Sequence, residues 1–386
     1  MSGPGLPARS PSRGTPSPIA GPPRFYFPEL DGLRFIAFLL VFIHHTPRLD
    51  LPGWAFVASH GWIGVDLFFA LSAFLFVKIL AKEYDQTGTI SIPKFYIRRG
   101  LRIWPIYAIF CVLLTILNSM SMKVHVLLWR VLGLFTFTDN LVSACKGYNP
   151  MAYSAHLWTI SYEEQFYLFI PLLLLFLFKS SRSRVVTSLS VIAVLFASCR
   201  AVLIWMKVPH PAIWVLPVTH FESILLGIVV GLGGFDAILS RVPAVLTLMG
   251  GLVAGWLMTR MGSVEIINWN LMISYGLIGL STSLVLYFVF RTGKTRCMKW
   301  LSFGPFVFLG KVSYGLYVYH VLGVALGVWV VRNLLLRARF PQLEPAAIFV
   351  VSLGITVSIA SASYVYVEKP FLRLKKRYEV VASRPA

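Results

Sequence analysis

Ten sparsely charged stretches of roughly helix-spanning length punctuate this sequence, at residues 30–47, 61–80, 103–118, 155–178, 185–206, 213–234, 243–260, 267–290, 312–335 and 346–367. A helix rises about 1.5 Å per residue, so about 20 apolar residues match a hydrocarbon layer roughly 30 Å thick. Backbone inside that layer has to satisfy its own polar groups, and a helix does so within each segment. The chain therefore reads as an all-α polytopic membrane protein, with about ten transmembrane helices enclosing a polar chamber. Composition points the same way. Of 386 residues, 57% are hydrophobic and 13% charged, with mean hydropathy +0.74, whereas a soluble domain carries about a quarter charged residues.

Outside the spans the sequence changes character. Residues 1–24 are rich in Pro, Ser and Gly without an apolar run, and are expected to form a disordered tail. They are not expected to be a secretory signal, because the first apolar segment contains Arg34 and lacks a small-residue cleavage site. The membrane domain is expected over 25–370, followed by a basic tail over 371–386. The connection 119–154 is the long one, and its apolar piece Val124–Thr138, interrupted by Arg130 and Gly133, is expected to form an interfacial or re-entrant helix. The four cysteines stand singly, with no CxxC pair, which gives no metal site.

The net charge of +20 could suggest nucleic acid, but its distribution argues otherwise. With the N-terminus in the cytoplasm, 23 of the 35 Lys and Arg residues fall in inside segments and 9 in outside ones. The remaining three, Arg34, Lys78 and Arg200, lie within spans. This asymmetry is the positive-inside pattern, so both termini are expected in the cytoplasm, the lipid bilayer is the partner of the charge, and no nucleic acid is expected.

Charged groups inside spans are costly and face a cavity or a partner. In the first span, His45 follows Arg34 by eleven positions, within about 20° of three full turns and about 16 Å along the axis. The two share a face, and His44 is turned some 80° away. The second span brings Asp66 roughly two turns in from the outside. His156 and Glu163, seven apart, share a face, while Glu164 points about 100° away. Ser313, Tyr317 and His320 form one stripe; Ser361, Tyr364 and Glu368 form another. Each group also has a structural reading. Asp66 could pair with a neighbouring His or Arg, and Glu163 or Glu164 could be simple acceptors. His320 could be a helix–helix contact, and His44 and His60 could be interfacial. In "FYIRRGLRIWPIY", Arg98, Arg99 and Arg102 suit lipid headgroups or, as planar forks, phosphates.

The ordered set "LDGLRFIAFLLVFIHH", "GWIGVDLFFALSAFLF", "FYIRRGLRIWPIY", "HLWTISYEEQFYLFIPL", "GKVSYGLYVYH" and "SYVYVEKP" closely resembles the integral-membrane acyltransferases of acyltransferase family three, from about Phe27 to Pro370. One departure is Ala73 where the family usually has Gly, which concerns helix packing. Another is that no soluble esterase-like domain follows, which suggests direct transfer by the membrane domain. The resemblance implies transfer of an acyl group, usually acetyl from acetyl-CoA, to a hydroxyl of a sugar or glycan acceptor at the plasma (inner) membrane. The family's basic residue and histidine with ten residues between them fall on Arg34 and His45, and its paired arginines on Arg99 and Arg102. The catalytic set is then His45 as general base, with Asp66 or Glu163 to orient its ring. The donor set is Arg34, Arg99 and Arg102. A multi-span transporter is the alternative, since mid-membrane charges also suit a substrate pathway. No P-loop or dinucleotide fingerprint occurs, so phosphoryl and hydride transfer have no support.

Reporter fusions at Lys82 and Lys146 are expected to read opposite sides of the membrane. The same side for both would contradict the ten-span topology.

Overall fold

The computed structural model describes residues 26–120, 127–335 and 341–381. The expected tail over 1–24 lies outside these residues, as do positions 124–126 of the connection and the end of the basic tail. Among the described residues there is helix and no strand.

The chain opens with α1 (Pro28–His45), the short α2 (Trp54–His60), α3 (Ile63–Thr87) and α4 (Ile92–Ser119). The long connection holds α5 (Leu128–Phe135) and α6 (Asp139–Lys146), and α7 (Trp158–Phe178) and α8 (Arg182–Trp205) follow. Then come α9 (Ala212–Val215), α10 (Glu222–Gly231), α11 (Gly234–Leu239), α12 (Ala244–Arg260) and α13 (Asn270–Thr292). The chain ends with α14 (Gly304–Lys311), α15 (Ser313–Val330), α16 (Glu344–Ser363) and α17 (Lys369–Lys375). The start of α1 is chemically marked: proline opens the first turn, and Glu29 and Asp31 sit beside its positive end.

Seven helices in the described residues are long and apolar enough to cross a bilayer, namely 63–87, 92–119, 155–178, 182–205, 270–292, 313–333 and 344–378. The other three expected spans also fall on helix, with differences. In α1, Glu29, Asp31 and Arg34 raise the charge of an 18-residue segment. At 17 residues, α12 is short. The stretch expected as one span at 213–234 is broken between α9 and α10, a correction with a plain cause. Leu216 precedes Pro217 and takes an extended conformation with ψ 128°, as the residue before proline does.

That break is buried, so its backbone needs partners. Arg200 of α8 donates Nη1 to Thr219 O at 2.9 Å and pairs with Glu222 Oε1 at 2.5 Å. The Tyr162 hydroxyl donates to His220 O, and His220 Nδ1 donates to Trp214 O at 3.0 Å. Arg200, left inside a span by the sequence, therefore caps a broken helix. The connection between α4 and α7 is fixed in a comparable way. Arg130 is turned inward to donate to Lys146 O and Gly147 O, and Gln165 of α7 donates to Phe137 O and Asn140 Oδ1. At eight residues, α5 rises only about 12 Å and does not span.

The closest helix pair near the chain's end, α15 with α16, uses small residues. Gly323 and Gly327, four apart, face Thr356 and Ser352 so closely that a β-carbon at either glycine would overlap the hydroxyl opposite. Small-xxx-small spacing lets helices approach where no hydrophobic drive separates helix from lipid. Gly327→Val should therefore force the pair apart at a cost of about 1–3 kcal/mol, read as a lower Tm of the purified protein. An unchanged Tm would show that the pair tolerates separation.

Candidate active site

The site grows from the apolar bundle around α1, α3, α4, α7 and α15. Their facing sides leave a cavity with a water-accessible volume of about 140 Å³, ample beside the roughly 10–15 Å³ that one water takes on this measure. Its polar wall includes Arg34 of α1, Arg99 and Arg102 of α4, Glu163 of α7 and Tyr317 of α15. These residues come together because each helix presents one stripe inward.

The three neighbouring arginines of α4 do different things. Arg98 is buried and donates to Glu83 Oε2 at 3.0 Å and Tyr378 O at 2.9 Å, so it ties α4 to α3 and to the C-terminal segment. The Arg99 guanidinium lies 4.3 Å over the Phe76 ring, and its buried Nε has no hydrogen-bond partner. Cation–π contact covers one face of the fork and leaves its edge for another group. Arg102 lines the cavity beside it, and Arg34 lies across with Nη1 3.1 Å from Asp31 Oδ1. Glu163 accepts from Tyr167 at 2.9 Å and from Ser72 at 3.5 Å. Glu164 points elsewhere and accepts from Trp104 Nε1 at 3.0 Å. The helical period separated these two carboxylates correctly.

Three histidine rings form a second cluster. Ring centroids of His45 and His320 are 4.8 Å apart, as are those of His320 and His156. His45 Nδ1 meets Val41 O at 2.9 Å, His320 Nδ1 meets Tyr317 O at 2.6 Å, and His156 Nε2 meets Val318 O at 3.1 Å. A carbonyl only accepts, so those nitrogens carry hydrogen, and in each neutral ring the other nitrogen keeps its lone pair. His320 Nε2 and His156 Nδ1 are buried without partners, while His45 is exposed at the end of α1. Tyr317 links cluster and cavity. It lines the cavity, accepts from the Thr159 hydroxyl at 2.7 Å, and its ring lies 5.4 Å from that of His320.

Of the expected site residues, Arg34, Arg99, Arg102 and Glu163 line one cavity, and His45 lies beyond Tyr317 and His320, outside the lining. Asp66 is elsewhere. It is fully buried, and its Oδ1 accepts from His220 Nε2 at 2.8 Å and Ser223 Oγ at 2.6 Å. Its partners belong to the helix break, so the expected orienting bond from Asp66 to His45 does not form. Glu163 makes no bond to His45 either; the ring is oriented by Val41 O, one turn back on its own helix. His320, for which the sequence also offers a helix–helix contact, and His156, expected only to share a face with Glu163, are the two rings that join His45. The signal was there in the stripe Ser313, Tyr317, His320, but only the fold brings α7 and α15 together. Among the described residues no group of three or more His, Cys, Asp or Glu side chains is placed to hold a metal ion.

A family model described as an acyltransferase domain matches residues 27–365. A candidate O-acetyltransferase of Staphylococcus aureus strain COL is 25% identical over 368 residues, covering 90% of this chain and 57% of that protein. O-acetyltransferase OatA of Staphylococcus aureus strain NCTC 8325 is 24% identical over 376 residues, covering 93% of this chain and 59% of its own length. The chain thus spans under three fifths of the length of these relatives. No solved structure matches it. With the match running from the start of α1 to the end of α16, this chain belongs to the integral-membrane acyltransferases of acyltransferase family three.

Proposed function

We propose that the chain transfers an acyl group, acetyl from acetyl-CoA, to a hydroxyl of a sugar or glycan acceptor at the plasma membrane. The observation that carries this reading is the two-ended site. Arginines line a cavity at one end of α1, and an accessible imidazole with a lone pair stands at the other end, with Tyr317 and His320 between them. With both termini in the cytoplasm, as the charge distribution supports, the arginine end faces the compartment that holds acyl-CoA. The names of the relatives, as O-acetyltransferases, support the same reaction class.

The guanidinium forks of Arg99 and Arg102 suit phosphate oxygens, and Arg34 adds charge from the opposite wall. The thioester end of the donor reaches toward Tyr317 and Thr159. At the far side, the acceptor hydroxyl approaches His45 Nε2. As its oxygen bonds to the acyl carbon, the proton passes to His45, the carbon–sulfur bond breaks, and the leaving thiolate of CoA recovers a proton. The products are an ester and free CoA. The hydrogen bond from His45 Nδ1 to Val41 O holds the tautomer this step needs.

Arg99→Ala and Arg102→Ala should each raise KM for acetyl-CoA by the equivalent of about 1.5–3 kcal/mol while leaving the acceptor KM nearly unchanged. Arg→Lys should recover only part, because the charge returns without the fork. Small, equal effects on both substrates would return these arginines to anchoring in lipid headgroups.

His45→Gln tests the other end. Glutamine keeps a donor for Val41 O but cannot take up a proton near neutral pH. Turnover by the purified variant should fall about 10²–10⁴-fold with coenzyme A binding intact. Near-normal turnover would remove His45 from the mechanism.

A further inference from the structure

The arginine cavity has a cation that its spanning helices do not supply. After α16 the chain continues through Tyr364–Glu368 into α17 and a final turn at Lys376–Tyr378, and this strap packs on α4. Arg98 donates to Tyr378 O and to Glu83, whose other oxygen accepts from Ser91 N at 2.8 Å. The strap is therefore held through its Tyr378 carbonyl by an arginine whose buried ion pair joins α4 to α3. It carries Lys375 to the cavity wall, where its side chain is 13% exposed and its ammonium lies 3.6 Å from Glu379. Lys376, the next residue, points away and is exposed.

Arg34, Arg99, Arg102 and Lys375 line the cavity together with the carboxylates of Asp31 and Glu163, and of these cations Arg34 is paired with Asp31 and Lys375 with Glu379. Arg99 and Arg102 stand in the same wall, so a phosphate entering the cavity meets several cations at once. The buried Nε of Arg99 has no hydrogen-bond partner, as is also true of Arg130 and Arg200, but of the three only Arg99 lines the cavity.

We propose that Lys375 is a phosphate-binding residue of the donor cavity, delivered by the C-terminal strap. This rests on the acyl-CoA reading above. The ammonium contributes a point charge on a flexible stem beside the planar forks of Arg99 and Arg102, so it can follow a phosphate that the forks do not enclose. The Arg98–Glu83 pair does not touch the ligand. It positions the strap. An anionic lipid headgroup offers the same phosphate chemistry, and the experiment has to separate the two sources.

The test is coenzyme A binding by calorimetry to the full chain in nanodiscs of neutral phosphatidylcholine, repeated with phosphatidylglycerol included. Lys375→Ala should weaken coenzyme A binding about tenfold or more in neutral discs. Lys375→Arg should restore most of it, and Lys376→Ala should have no effect although it removes the same net charge. Arg98→Ala should weaken binding too, and combined with Lys375→Ala it should add little, because both act through one strap. Coenzyme A affinity that ignores Lys375 in neutral discs but falls with Arg99→Ala overturns the Lys375 assignment alone. So does an effect of Lys375→Ala that appears only with phosphatidylglycerol, which would mark a headgroup contact. Unaltered protein that binds no coenzyme A in either disc overturns the donor reading beneath it.

Discussion

A guanidinium inside an apolar bundle has to be met by something, and the run Arg98, Arg99, Arg102 shows three ways of meeting it within about one helical turn. Arg98 is spent on structure, with a carboxylate and a backbone carbonyl filling its fork. Arg99 is half met by the face of Phe76, and its edge and Arg102 are left to a cavity. Had all three been paired as Arg98 is, the bundle would hold no charged space. Breaking a buried pair is expensive because the surviving charge stays buried, so the strap held by Arg98 is fixed, and the cavity wall it completes is fixed with it.

The same constraint explains the region around Asp66. A chain broken at membrane depth exposes carbonyls that lipid cannot satisfy, and α9 and α10 are separated by such a break. Arg200, Tyr162 and His220 answer it, and Asp66 answers His220 and Ser223. Arg200, Tyr162 and His220 bond the backbone of the break, and Asp66 of α3 holds the His220 and Ser223 side chains there. The two polar clusters of the molecule are thus different in kind. One braces a broken helix, although Asp66 Oδ2 and Arg200 Nε within it lack hydrogen-bond partners. The other, running from the arginines through Tyr317 to His45, keeps buried lone pairs and an unused fork edge.

Periodicity carried the sequence reading far. The shared face of Arg34 and His45, the split between Glu163 and Glu164, and the stripe through Tyr317 and His320 are all consequences of 3.6 residues per turn, which a single helix obeys without its neighbours. What was illegible depended on distant pairing. Asp66 meets His220, 154 positions away, and no local pattern names that partner. The break after Leu216 hid inside an apolar window, where hydropathy outweighed the single signal of Pro217. Lys375 was read as one charge in a basic tail, and only the packing of the strap on α4 separates it from Lys376 beside it. The seam of Gly323 and Gly327 lay inside an expected span, but its partner helix could not be chosen from the sequence.

The central claim is that donor and acceptor meet from opposite ends of one path, with the phosphates at Arg99 and Arg102 and the acyl carbon at Tyr317 and His45. The most direct measurement is a cryo-electron microscopy map of the protein in nanodiscs with a non-hydrolysable thioether analogue of acetyl-CoA. The account requires phosphate density against Arg99 and Arg102, with the acyl end running between α1, α7 and α15 toward Tyr317. Analogue bound with its phosphates at the His45 end, or lying outside the cavity at saturating concentration, would contradict it.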